Sequence, residues 1–150
     1  MTWEIKKFED LTVIELYSIL QLRSEVFVVE QNCVYQDMDN KDKLSHHVMC
    51  WQDDKLLATA RLIPPGISYE LASIGRVVTS KNARGNGTGR KLMNVSIEEI
   101  KKLYGTVDIK IGAQLYLKKF YSSLGFMQTS NVYLEDGIEH IEMLLKDSIS

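Results

Sequence analysis

Two cysteines and two prolines are all that the 150 residues contain. Two thiols are too few for a disulfide framework, so Cys33 and Cys50 are expected to stay reduced, as in the cytoplasm. No stretch approaches the roughly 18 apolar residues of a membrane span, and Glu4 interrupts a signal-peptide reading. An excess of basic charge is missing as well. Eighteen Lys and Arg stand against twenty Asp and Glu, a net charge of −2, and nothing in that balance suggests nucleic acid as a partner. Metal-ligand spacings are absent too. His46-His47 has no partners at zinc spacing. Asp37-x-Asp39-x-Lys41-Asp42 opens like a calcium loop, but Lys41 takes a ligand position and Asp42 the glycine position. No metal is expected.

What is there is an ordinary globule: 45% hydrophobic and 25% charged residues, with no repeat, linker or second domain. One domain over 1–150 would bury about 68–70% of its unfolded surface. Trp3–Lys6 alternates apolar and polar and reads as a first strand. Thr12 and Glu15 form a capping box, opening a helix whose apolar positions repeat to about Val29. Residues 31–46 are polar and irregular, a long loop of the kind that carries function. His47–Gln52 and Lys55–Leu62 read as strands joined by Asp53-Asp54. Pro64-Pro65-Gly66 breaks the chain before a longer strand, Tyr69–Thr79. A helix from near Arg90 to Tyr104 stops at Gly105. Val107, Ile109 and Ile111 alternate as a strand, Leu115–Leu124 is a short helix closed by Gly125, and Phe126–Tyr133 with His140–Leu145 form a terminal hairpin around Glu135-Asp136-Gly137. The sum is an α/β (α+β) domain with a mixed, mostly antiparallel sheet and flanking helices.

The most informative residues are Arg84-Gly85-Asn86-Gly87-Thr88-Gly89, set between the strand ending at Thr79 and the following helix. Glycines let a backbone take positive φ and approach a ligand closely. The first-turn amides of the helix, with its dipole, favour a phosphate, and Arg84 adds a forked cationic donor. The alternative is a surface turn with glycines for geometry alone. A dinucleotide fingerprint would need glycine where Arg90 stands, and a nucleotide P-loop would need lysine and Ser/Thr after its second glycine.

The spacing R-x-x-G-x-G instead resembles the pyrophosphate loop of the GCN5-related N-acetyltransferases (GNAT). The order of elements agrees with that fold throughout, and Phe120-Tyr121-Ser122-Ser123-Leu124-Gly125-Phe126 is similar to the F-Y-x-x-x-G-F closing its coenzyme A site. Leu22-Arg23, Val26-Phe27-Val28-Val29-Glu30-Gln31-Asn32-Cys33, Tyr35-Gln36-Asp37, Asp39, Ala60-Arg61 and Ile74-Gly75-Arg76-Val77 look like the ElaA-like acetyltransferases.

That resemblance implies an acetyl-CoA-dependent N-acetyltransferase acting on an unidentified amine by direct transfer. Backbone amides from Gly85 through Asn86, Gly87 and Thr88 to Gly89 would hold the pyrophosphate, with Arg84 assisting. The strand before the loop splays from its neighbour in that family, leaving amides of Val77, Val78 and Thr79 for the pantetheine arm and the thioester carbonyl. Tyr121 would protonate the departing thiolate: a phenol near pKa 10 keeps its proton at pH 7, where a thiol near 8.5 leaves as thiolate. Gln114 stands where many relatives carry asparagine. For the base, Glu30, Asp37, Asp39, His47 and His140 are all candidates, and His140 on the last hairpin would lie near the acyl end.

Arg23, Arg61 and Arg76 sit inside apolar runs, where an unpaired charge is costly. They are expected to meet Glu30, Asp37 or Asp39, either as a wall of the acceptor pocket or as structural ion pairs fixing the long loop. Two other functions stay open: acyl-homoserine lactone synthesis, on the same fold, and a non-catalytic acyl-CoA sensor. A two-fold dimer is the commonest assembly in general, though no residue here specifies one.

Overall fold

A computed structural model describes residues 1–105 and 107–147. Its strands are β1 (Thr2–Lys7), β2 (His46–Gln52), β3 (Lys55–Ile63), β4 (Ser73–Thr79), β5 (Ile109–Gln114), β6 (Met127–Gln128), β7 (Tyr133–Glu135) and β8 (Ile138–Leu145). Its helices are α1 (Val13–Arg23), α2 (Thr88–Tyr104) and α3 (Lys118–Ser123). The capping box forms as read: Thr12 N–H donates to Glu15 Oε1 at 2.8 Å, and Glu15 N–H to Thr12 Oγ1 at 3.1 Å.

The strands build two antiparallel groups, β1-β2-β3-β4 and β5-β8, with β6 and β7 both paired to the outer side of β8. One parallel bridge, Ala72 to Ile109, joins the groups, and Lys110 N–H donates to the Ala72 carbonyl there at 3.0 Å. Past that bridge β4 and β5 share no ladder among the described residues, so the sheet splits and leaves a cleft between them. A bulge sharpens the split. Thr59 pairs with Val78 and Arg61 with Gly75, so Arg76 and Val77 together oppose one residue, and Arg76 takes φ +48°.

The core lies between the sheet and α2, whose Leu92, Met93, Ile97 and Ile100 pack with Val48, Leu62, Ile111 and Met143. Truncating one of these to alanine would cost about 2–5 kcal/mol. Leu22 and Val26 pack instead on Val78, so adjacent Val77 and Val78 serve different clusters.

Several expected boundaries move. The first helix does not run on as an α-helix to Val29: Ser24–Glu30 is a π-helix, with Gln31 N–H bonded to Val26 O and Cys33 N–H to Val28 O. The expected loop 31–46 contains a 3₁₀ turn, Lys41–Leu44. The strand foreseen from Tyr69 begins at Ser73, because Gly66 N–H closes a turn on the Tyr69 carbonyl and the Tyr69 hydroxyl lies over Gly112 of β5. Val107 precedes β5 rather than starting it, and Leu115–Leu117 is a 3₁₀ turn leading into α3. The last hairpin is tighter than expected, since Asp136-Gly137 alone connects β7 to β8, both at positive φ, as a type I′ turn requires. Among the described residues no helix is long and apolar enough to cross a membrane.

Candidate active site

The parting of β4 from β5 opens a cleft of about 490 Å³. One wall is Ile74–Val77 and Thr79, the other Ile111–Gln114, and Tyr121 with Phe120 closes it beneath. The π-helix places Val26, Phe27 and Glu30, followed by Gln31, along its rim. A π-helix advances more residues per turn than an α-helix, so i, i+4 and i+5 share a face.

At one end lies the glycine loop. Gly85 and Gly87 have φ of +85° and +83°, a region that L side chains rarely adopt, and Gly87 caps α2. Asn86 Oδ1 accepts from the Thr88 amide at 3.1 Å and from its hydroxyl at 2.5 Å, which fixes the turn. Gly89 packs less tightly: a Cβ there would stand 3.8 Å from Thr79 and 3.9 Å from Phe120, ordinary contact distances. Arg84, Gly89 and Thr79 line the cleft itself, while Asn86 faces a second hollow on its far side. Val78 does not line it; its side chain packs with Leu22 and Val26 on the other face of β4.

Tyr121 is 6% exposed and packs edge-on to Phe120 and Phe126. Its hydroxyl has no hydrogen-bond partner among the described residues, and it borders the cleft. Burial first, and Tyr116 second, hold its phenol above the usual range. Across the cleft, Gln114 pairs in register with His140. The His140 ring stacks on Tyr133, has Nδ1 2.7 Å from the Ile138 carbonyl and Nε2 3.5 Å from the Glu135 carboxylate. A carbonyl can only accept, so Nδ1 carries the hydrogen of the neutral ring.

Buried Arg23 and Arg61 and half-buried Arg76 meet three aspartates. Arg23 Nε donates to Asp37 and its Nη1 to Asp42, both at 2.7 Å. Arg61 forks onto Asp39 with two 2.7 Å bonds and reaches Asp42 at 3.1 Å. Arg76 donates to Asp37 Oδ1 at 2.7 Å and to the Asp37 carbonyl at 2.9 Å. Burial opposes ionisation of Asp39 and Asp42, yet their guanidinium partners hold both carboxyls below the usual range. Only Arg76 of this group lines the cleft. Arg23, Asp37, Asp39 and Arg61 stand behind it, where they tie residues 37–42 to α1, β3 and β4. Glu30 is not part of the network. It lies at the end of the π-helix against the glycine loop and pairs with Arg84.

The sequence reading passed over two participants. Asp42, noted only as standing at the glycine position of an incomplete calcium loop, is the shared acceptor of Arg23 and Arg61. Gln31 bonds Gln114 across the cleft at 3.1 Å. Their signal is positional and three-dimensional, since partners 19 and 83 residues away carry no local pattern.

Comparison with known proteins agrees with this architecture. The sequence profile described as "Acetyltransferase (GNAT) domain" matches residues 12–146. Protein ElaA of Escherichia coli is 41% identical over 143 residues, 94% of each chain. The crystal structure of Escherichia coli ElaA superposes with a TM-score of 0.91 at 40% identity, covering 97% of this chain and 100% of that one. An acyl-CoA N-acyltransferase from Pseudomonas aeruginosa also superposes at 0.91, with 43% identity over 97% of this chain and 99% of the other.

Proposed function

The chain belongs to the acetyltransferase (GNAT) domain family, and on that premise we propose that it moves an acetyl group from acetyl-CoA to a primary amine by direct transfer in a ternary complex. The observation that carries this reading is the unpartnered Tyr121 hydroxyl under a cleft whose two walls, β4 and β5, are not paired with each other past the Ala72–Ile109 bridge.

The thioester supplies an activated acyl group and a thiolate leaving group, and the chain's own residues do the rest. The residues present fit such a group. The edge of β4 facing β5 offers main-chain donors and acceptors past Ala72 to a pantetheine arm, with Val77 and Thr79 lining the cleft nearest the loop. At the loop, Asn86 occupies the Thr88 amide, while the Gly89 and Arg90 amides of the first turn of α2 lack intrahelical partners and with the helix dipole favour the diphosphate. Donors held in place where charge develops on the carbonyl oxygen lower the barrier to acyl transfer.

Tyr121 gives the thiolate a proton or a strong hydrogen bond, and its raised pKa keeps the phenol protonated throughout the physiological range. His140 takes the amine's proton at Nε2, and the imidazolium so formed faces Glu135. Cys33 and Cys50 are both unpaired, in keeping with work in the cytoplasm.

Thermal unfolding with and without acetyl-CoA tests the reading. At about 100 times the dissociation constant, binding adds about 2.7 kcal/mol, a rise of roughly 5–10 °C for this size. The rise is expected for the wild type and not for Gly87→Glu, which puts a carboxylate in the loop. No rise in the wild type contradicts it.

A further inference from the structure

Arg84 is the forked donor of the glycine loop, yet its guanidinium is engaged by another part of the chain. Both Nη atoms donate to the carboxylate of Glu30, 54 residues earlier, Nη2 to Oε1 at 2.9 Å and Nη1 to Oε2. Nη2 also reaches the Thr79 carbonyl at 3.2 Å. A carboxylate and a diphosphate satisfy the same two-pronged donor in the same way. We infer that Glu30 is a built-in competitor for the diphosphate of coenzyme A, weakening the hold on diphosphate-bearing donors and so setting cofactor affinity. This inference rests on the acyl-CoA reading above.

Three observations support it. First, the pair is exchangeable. The two side chains are 38% and 40% exposed, and exposed pairs of this kind hold weakly. A diphosphate brings more charge and gains the helix amides as well, so it can displace the carboxylate. Second, the competitor is permanent. The Arg84 hydrogen bond, aided by Lys81 nearby, holds the Glu30 carboxyl below its ordinary range, so it stays ionised at physiological pH. Third, its placement is built in. Glu30 ends the π-helix whose wide turns point it and Gln31 toward the cleft, and Gln31 is bonded across to Gln114. The same segment therefore meets both the glycine loop, through Glu30, and β5, through Gln31.

A ligand with the diphosphate has to take Arg84 from Glu30, while one without it leaves the pair in place. Calorimetric titration of coenzyme A and of pantetheine, which lacks the diphosphate, tests this in four proteins: wild type, Glu30→Gln, Arg84→Gln and the double variant. Glu30→Gln is expected to tighten coenzyme A binding by about two- to five-fold, the fold-change of an exposed pair, and to leave pantetheine unchanged. In the Arg84→Gln background the gain should vanish. Unchanged or weaker coenzyme A binding in Glu30→Gln overturns the inference, as does equal tightening of both ligands. A gain that persists undiminished without Arg84 assigns the effect to charge alone and overturns it too. Absence of coenzyme A binding by the wild type is a different failure, since it removes the acyl-CoA reading itself.

Discussion

Gln31 and Gln114 exchange two amide hydrogen bonds across the cleft, at 3.1 and 3.3 Å, and so clasp the π-helical end of the first helix to β5. Gln114 is also the register partner of His140, so the clasp steadies the strand beside the proposed base. Losing a typical hydrogen bond costs on the order of 1 kcal/mol, about fivefold in a rate constant. Gln31→Ala and Gln114→Ala should each lower kcat/KM by about fivefold, and the double variant by no more than either. Steady-state kinetics decide it, and fully multiplicative losses would mean that the two amides act separately.

Asp42 holds two arginines at once while almost wholly buried. Removing one partner of a buried pair leaves a charge uncompensated and typically costs about 3–5 kcal/mol. Asp42→Ala is therefore expected to lose about that much in urea unfolding, far more than an exposed aspartate such as Asp54. A loss below about 1 kcal/mol would show that water replaces the carboxylate easily.

Stability should fall on the acid side of neutrality, beginning with His47. Its Nε2 lies 2.9 Å from the Asp42 carbonyl, its Nδ1 is buried without a partner, and burial holds its pKa below the usual value. The unfolded chain then binds more protons than the folded one below about pH 6.5, and stability drops as pH falls through that value. The aspartates add a second loss, because Asp39 and Asp42 have lowered folded pKa values: their contribution is present above the unfolded value near 3.9 and disappears below it. Urea midpoints at pH 7 and pH 5 measure the first step, which should shrink in His47→Gln.

Direct transfer makes a claim about Cys33, whose thiol borders the cleft and donates to the Asp136 carbonyl at 3.2 Å. No acyl group should rest on it. Intact-mass measurement after incubation with acetyl-CoA is expected to return the unmodified chain, and a 42 Da adduct at Cys33 would point to a two-step route.

Much of this was legible in the sequence because it is local. The capping box at Thr12, the Asp136-Gly137 turn and the glycine loop each follow from residues within one turn of one another. The order of elements gave the fold class, and the Phe120–Phe126 run marked the buried tyrosine. What escaped depends on packing. Nothing in Ser24–Glu30 announces π geometry, since the same apolar spacing satisfies an α-helix. The arginines announced themselves as buried charges, but the choice of Asp42 as their shared partner required the Lys41–Leu44 turn to be in place. Glu30 was expected among those arginines, and the widened helix carries it to Arg84 instead.

The central claim is that the cleft catalyses acyl transfer as well as holding acyl-CoA. Its most direct test follows coenzyme A release and acetylated amine together, across a panel of primary amines, for the wild type and Tyr121→Phe. The account predicts equal amounts of free thiol and acetylated product with at least one amine. It also predicts a loss of about 10²-fold or more in kcat for Tyr121→Phe, with acetyl-CoA binding retained. Turnover unchanged in Tyr121→Phe, or tight acetyl-CoA binding with no product from any amine, would contradict it.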